Sequence, residues 1–380
     1  MPALPLRPIE IASGLVFGVE PRPSQSDAPP APTPMAALER TILPALERPP
    51  CLVSFSGGRD SSAVLALATH LARRESLPPP IPATNRFPAV ESTDEADWQE
   101  LVVERLGLDD WHRLVFDDEL DAVGPIATRG LERHGLLWPF NAFFHTPLLE
   151  AARGGSLLTG IGGDEQLGES RFARANDVLA RRAKPELRDI LRVGFALAPG
   201  FARAAVLRRR PPARFPWLRP EGQRQLIARW SAQAGREPRR YDRRVGWWPR
   251  LRSVRIGFHS LDLLAQDADA SIVHPLSDPA FAAALAHEGG NPVTDRTTRM
   301  QALFRELLPP ELLARPTKAQ FDAAFWGRPS RELASRWNGA GAPPDLVDPD
   351  RLRDEWGKVV PTPQSFTLLQ AAWLAERVES

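Results

Sequence analysis

Two glycine-rich turns hold the residues whose types and spacing offer chemistry. The first, Ser56-Gly57-Gly58-Arg59-Asp60-Ser61, follows the apolar run 51–55 and opens an alanine- and leucine-rich segment over 63–74. Glycines between a strand and a helix let backbone amides curl round an anion, and Ser56 and Ser61 add hydroxyl donors. A Walker-type loop would need a lysine before the helical Ser or Thr. None stands here, so the turn suits a pyrophosphate group better than a γ-phosphate cradle. The second turn, Gly160-Ile161-Gly162-Gly163-Asp164-Glu165, follows the short apolar run 156–159. Two carboxylates beside one polyphosphate need a cation, and hard oxygen ligands suit Mg²⁺, which makes Asp60 and Asp164 its expected holders. Each turn alone has a bland reading: Gly-Gly pairs are common in turns, and an acid at a helix start is often a cap.

The elements that must position these turns are legible from periodicity. Apolar residues Leu38, Ile42, Leu43 and Leu46 predict a helix over 36–46, which Pro49-Pro50 stops before the strand 51–55. A helix is expected over 63–74. After a linker at 78–82 come a short segment at 83–87, an amphipathic helix over 91–106 and a strand over 111–115. A helix over 141–153, closed by Gly154-Gly155, leads to the strand 156–159. Strands alternating with helices imply an α/β fold, a parallel sheet flanked by helices, and ligands bind beyond the C-terminal ends of such strands. From about residue 172 the pattern turns helical with basic interruptions, so the C-terminal half is expected to be mostly helical. The proline-rich stretch 21–34 reads as an extended connector. The expected organisation is an extended N-terminal segment over 1–35, a nucleotide-using domain over 36–330 and a C-terminal helical extension over 331–380 packed on it.

Composition narrows the class. With 48 Lys plus Arg against 47 Asp plus Glu, there is no global bias toward nucleic acid or an anionic membrane. A chain of 380 residues that is 43% hydrophobic can bury a large core. One cysteine, Cys51, excludes an intrachain disulfide framework, and no apolar run is long enough to span a membrane, which fits the cytoplasm.

The pairing of Ser-Gly-Gly-Arg-Asp-Ser-Ser at 56–62 with Thr-Gly-Ile-Gly-Gly-Asp-Glu at 159–165 resembles the synthetase domain of glutamine-dependent asparagine synthetase. Asp94-Glu95 and Trp98 follow in the same order, as does Val273-His274-Pro275-Leu276-Ser277-Asp278-Pro279, which is similar to that family's Pro-Phe-Leu-Asp segment. Leu307-Leu308-Pro309 through Arg315-Pro316-Thr317-Lys318-Ala319-Gln320-Phe321 resembles its ending, whose lysine faces the adenylate; Lys318 takes that role by resemblance. The resemblance implies a pyrophosphatase-loop (PP-loop) fold of the adenine nucleotide alpha-hydrolase kind. It also implies ATP and Mg²⁺ as cofactors and a two-step reaction: adenylation of a carboxylate with release of pyrophosphate, then attack by an amine. Ser56, Gly57, Gly58, Asp60, Ser61, Gly160, Gly162 and Gly163 would hold the nucleotide, Asp60 and Asp164 the metal, and Asp60, Asp164 and Lys318 the catalysis.

The sequence also departs from that family. Pro2 stands where its members have a catalytic cysteine, and no amidohydrolase domain precedes residue 36, so glutamine hydrolysis is not expected. Ammonia, a separate glutaminase or another amine would supply nitrogen. Ile161 replaces a glutamate, or the tyrosine of β-lactam synthetases, and cannot accept a proton; Glu165, His145 and His274 are the candidate bases. The acyl substrate is then aspartate or a small-molecule or peptide carboxylate of specialised biosynthesis. Trp247-Trp248-Pro249-Arg250 could mark a peptide or carrier-protein surface. Two other classes are a non-catalytic nucleotide-binding regulator, motivated by Ile161, and a different pyrophosphatase-loop enzyme, which leaves the Pro275 and Lys318 segments without a reason.

Overall fold

The computed structural model describes residues 2–20, 31–211, 213–288, 295–315 and 319–379. Five strands form one parallel sheet: β1 Cys51–Ser54, β2 Ile81–Arg86, β3 His112–Val115, β4 Ser156–Leu158 and β5 Ser271–Val273, in the spatial order β3-β2-β1-β4-β5. The chain is thus α/β, with a helical second half, as its alternating pattern predicts.

Side chains of the central strands alternate between two cores, following the two-residue period of a strand. Val53 and Leu158 pack among the helices Pro34–Leu46 and Arg59–Arg74, whereas Leu52 and Leu157 meet Leu148, Leu149, Leu261 and Leu264 on the other face. All four strand residues are fully buried, as a sheet covered on both faces demands.

Several elements differ from their expected extent. The linker 78–82 gives up Ile81 and Pro82 to β2, because Pro82 pairs only with Val53 of β1 while β3 begins its ladder at Ala83. The helix expected over 141–153 splits into a 3₁₀ turn, Ala142–His145, and a helix, Thr146–Ala151. Pro147 cannot sit inside a continuous helix but is at home in a first turn. The helix expected over 91–106 likewise begins as a 3₁₀ turn, Glu91–Thr93, before Ala96–Leu106. β5 is only three residues long and carries no signal of its own beside the Pro275 segment.

Residues 21–30 of the expected connector lie outside the described residues. Within the first 35 residues, Pro8–Ser13 is a helix whose Ile9 and Ala12 pack with Trp217, Trp326, Phe366 and Leu369 in a second core. The extended reading of that segment is therefore corrected there. Glu10 is fully buried and accepts bonds from Arg252 at 2.9 and 3.1 Å, which compensates its charge. The helices Arg328–Arg336, Pro349–Trp356 and Phe366–Glu379 add Leu333, Leu352, Trp356, Leu368 and Ala372 to this core.

Candidate active site

Strand order reverses at β1, whose neighbours β2 and β4 lead the chain away in opposite directions. Loops leaving the C-terminal ends of β1 and β4 flank the resulting crevice, the usual ligand site of an open parallel sheet. These loops are the two glycine turns. They line one cavity of about 590 Å³ together with Glu95, Asn141, Phe144, His145, Arg296 and Phe321.

The first turn is held from within and from behind. The backbone N–H of Gly58 donates to Ser56 Oγ at 3.3 Å, Ser56 Oγ and Ser61 Oγ lie 3.2 Å apart, and Ser61 Oγ donates to the Gly58 carbonyl at 3.1 Å. Gly57 has φ +79°, and a Cβ there would come within 2.8 Å of Gln99, so only glycine fits. Gln99 Nε2 donates to the Ser56 carbonyl at 3.1 Å and Arg315 donates to the Gly57 carbonyl at 2.9 Å. Arg315, only 3% exposed, also pairs with buried Glu95 and lies over the Trp98 ring. With the carbonyls turned back onto protein donors, the turn is braced from behind.

Asp60 lies in the first turn of the Arg59–Arg74 helix, where a carboxylate is favoured by the helix dipole. The second loop is pressed onto it: a Cβ on Gly163 would collide with the Asp60 carboxylate, and one on Gly160 would meet the Asp60 and Ser61 backbone. The glycines of the second turn thus serve the first, a dependence invisible in either string alone.

Asp60 and Asp164 both line the cavity and share a third residue as partner. Arg296 donates to both Asp60 oxygens at 2.7 and 2.6 Å and pairs with Asp164. Two carboxylates sharing a cationic partner at one cavity are a hard-oxygen pair that also fits Mg²⁺, an ion that takes one or two protein carboxylates and completes its shell with phosphate and water. Among the described residues no group of three or more His, Cys, Asp or Glu side chains could hold a metal. Phosphate oxygens and water would therefore have to supply the remaining ligands.

Arg59 lines the cavity, and its guanidinium donates to Thr297 Oγ1 at 3.3 Å and the Leu313 carbonyl at 3.4 Å. Lys318 lies outside the described residues; Ala319 and Phe321, close after it in the chain, line the cavity. Arg296 and the bracing role of Arg315 escape sequence reasoning. Arg296 sits in no motif, and Arg315 reads only as part of a family-like ending.

The candidate bases separate. Glu165 is exposed and lines the cavity beside Asp164. His145 keeps a cavity-facing surface, yet the protein packed round it lowers its pKa to about 4. His274, stacked 4.5 Å from Phe258, is lowered to about 3 by burial and then by His145; its Nδ1 lies 2.7 Å from Thr159 Oγ1. Both rings are neutral at pH 7 and serve poorly as pH-7 proton acceptors. His145 Nδ1 and His274 Nε2 are buried without a hydrogen-bond partner among the described residues.

A pH dependence of stability follows. Below about 6.5 the unfolded chain protonates these histidines while the folded chain does not until near 4 or 3, so stability falls as pH drops through that window. Going from pH 7 to 5 is expected to cost on the order of 2 kcal/mol per histidine. Urea unfolding at both pH values should show a shallower loss in His145→Gln; an unchanged slope would contradict the assignment.

The described residues include no helix long and apolar enough to cross a membrane. Cys51 is buried at the start of β1, and burial pushes its thiol up to about 11, leaving it protonated. In comparisons with known proteins, the sequence model of the family described as asparagine synthase matches residues 42–279, more than half of the chain. No curated protein matches significantly.

Proposed function

The chain belongs to the asparagine synthase family, and we propose that it is an ATP-dependent ligase that adenylates a carboxylate, releases pyrophosphate and passes the acyl group to an amine. The observation that carries this reading is the convergence of both glycine turns, with Asp60 and Asp164, on one cavity at the sheet's switch point.

In this reading the amides and hydroxyls of 56–61 hold the β and γ phosphates that depart as pyrophosphate. Gly160, Gly162 and Gly163 bring the second loop close enough for Asp164 to share the phosphate end with Asp60. Magnesium held by Asp60 and Asp164 would supply charge neutralisation to the polyphosphate. The carboxylate oxygen attacks the α-phosphorus as the α–β anhydride bond breaks, and the amine nitrogen then attacks the acyl carbon as AMP leaves. Lys318 is assigned, by its place in the family-like ending, to the charge that builds on pyrophosphate and on the tetrahedral intermediate, worth ~3 kcal/mol in a dry site. Glu165, the exposed carboxylate beside Ile161, is assigned to take the amine's proton. Ammonia from a separate glutaminase or a substrate amine would serve as nucleophile, and the cytoplasm is the setting we assign.

One observation favours a second reading. Arg296 already neutralises both carboxylates, and with Ile161 in the second loop this would suit a nucleotide-binding regulator without turnover.

Incubation with ATP, Mg²⁺, hydroxylamine as amine and a panel of carboxylates separates the two. AMP and pyrophosphate in equal amounts, with kcat reduced about 10²–10³-fold in Lys318→Ala, is the expected result. ADP and phosphate as products would refute the proposed cleavage, and tight ATP binding with no turnover across the panel would favour the regulator.

A further inference from the structure

A second cavity, of about 320 Å³, opens beside the first and shares with it Asn141, Phe144, His145, Ile161 and Glu165. Apart from Ser253, its remaining wall is apolar: Trp138, Pro139 and Trp248 join Val254, Phe258 and Leu261 of the helix Arg252–Asp267. Trp248 meets Phe258 edge to face at 6.2 Å, and Phe258 in turn stacks on His274. No Lys or Arg side chain lines it among the described residues, whereas Arg59 and Arg296 both line the first cavity.

We propose that this second cavity is the acyl-side pocket and that it takes a bulky apolar or aromatic group. The carboxylate substrate would then be a hydrophobic acid or an apolar-flanked peptide carboxylate and not aspartate. The proposal rests on the ligase reading, for that reading places the reacting carboxylate at the α-phosphate in the first cavity. The rest of the acyl group must extend from there, and the shared wall of Asn141, His145 and Ile161 leads into the second cavity. Its volume falls in the range of small-molecule pockets, which are mostly apolar with a few orienting polar groups. Aspartate carries a second carboxylate that would enter a wall with no cation to meet it, and burying an unpaired charge is strongly unfavourable. Ile161 fits the same logic. In place of a proton acceptor it adds aliphatic surface where the two cavities join.

Gly257 provides the test. It lies inside the helix Arg252–Asp267, and a Cβ there would meet Trp138 at 3.6 Å and Pro139 at 3.8 Å, which is ordinary contact. Gly257→Ala should therefore fold normally, and Gly257→Leu should fill part of the cavity. Calorimetric titration of the full chain with 3-phenylpropanoate and with L-aspartate, with α,β-methylene-ATP present, is the measurement. The expected result is tighter binding of 3-phenylpropanoate, weakened at least about tenfold in Gly257→Leu but not in Gly257→Ala, with binding of the ATP analogue unchanged in both. Preference for aspartate, or no binding of 3-phenylpropanoate, would overturn the pocket assignment and leave the ligase reading standing. Failure of the ATP analogue itself to bind would instead defeat the ligase reading.

Discussion

Replacing Asp60 with alanine is expected to lower kcat for carboxylate-stimulated pyrophosphate release by about 10²–10³-fold, the scale of losing one preorganised electrostatic group. Three features converge on this carboxylate: its place at a helix N-terminus, its bond to Arg296, and Gly163 of the second loop, which closes onto it. Removing it takes one of two negative charges from the proposed metal site and leaves Arg296 leaning on Asp164 alone. ATP binding measured without Mg²⁺ should stay the same or tighten, because an anion site has lost a negative charge, whereas the dependence of turnover on Mg²⁺ should weaken. A variant within tenfold of the parent kcat would remove Asp60 from the catalytic machinery.

Arg315→Leu is expected to cost about 3–5 kcal/mol of stability, the usual scale for removing one partner of a buried ion pair. The guanidinium is almost wholly buried, paired with Glu95, bonded to the Gly57 carbonyl and placed 4.8 Å from the Trp98 ring centroid. Its loss strands the Glu95 carboxylate in the interior and frees the back of the first glycine turn, so, if that turn holds phosphate as proposed, ATP affinity should fall with stability. The double variant Glu95→Leu/Arg315→Leu should recover part of the stability, since no unpaired charge then remains, but not the ATP affinity. Urea unfolding of both variants checks this; a loss below about 1 kcal/mol in Arg315→Leu would show that the pair is not structurally important.

Local information was enough to place the two turns at strand ends. The segments 51–55 and 156–159 are short, apolar at their centres and flanked by breakers, and each is followed at once or after one serine by glycine. Strand identity and the parallel sheet follow from such patterns, because the two-residue and helical periods are written in contiguous residues; the meeting of Asp60 with Asp164 does not, since it is a contact between distant segments made through Arg296. The matching family lies over the same region.

Other features depend on residues far apart in the chain. Arg296 reaches Asp60 across 236 positions, and Arg315 reaches Gly57 across 258. Neither bond has a local signature, since an arginine reads the same whether solvated or buried. The N-terminal helix was hidden for a similar reason: six residues with a proline at the start form no stable helix alone, and distant residues such as Trp217, Trp326 and Phe366 give Ile9 and Ala12 somewhere to pack. The second cavity is the clearest case, for Trp138, Ile161 and Phe258 come from three separate elements and become one wall only when the Arg252–Asp267 helix covers the sheet. The sequence by itself determined the α/β fold and the placing of two glycine turns after strands, because those depend on neighbours along the chain. The tertiary structure alone decided what braces those turns, what pairs with the carboxylates and how the two cavities join, because each of these is a contact between distant segments.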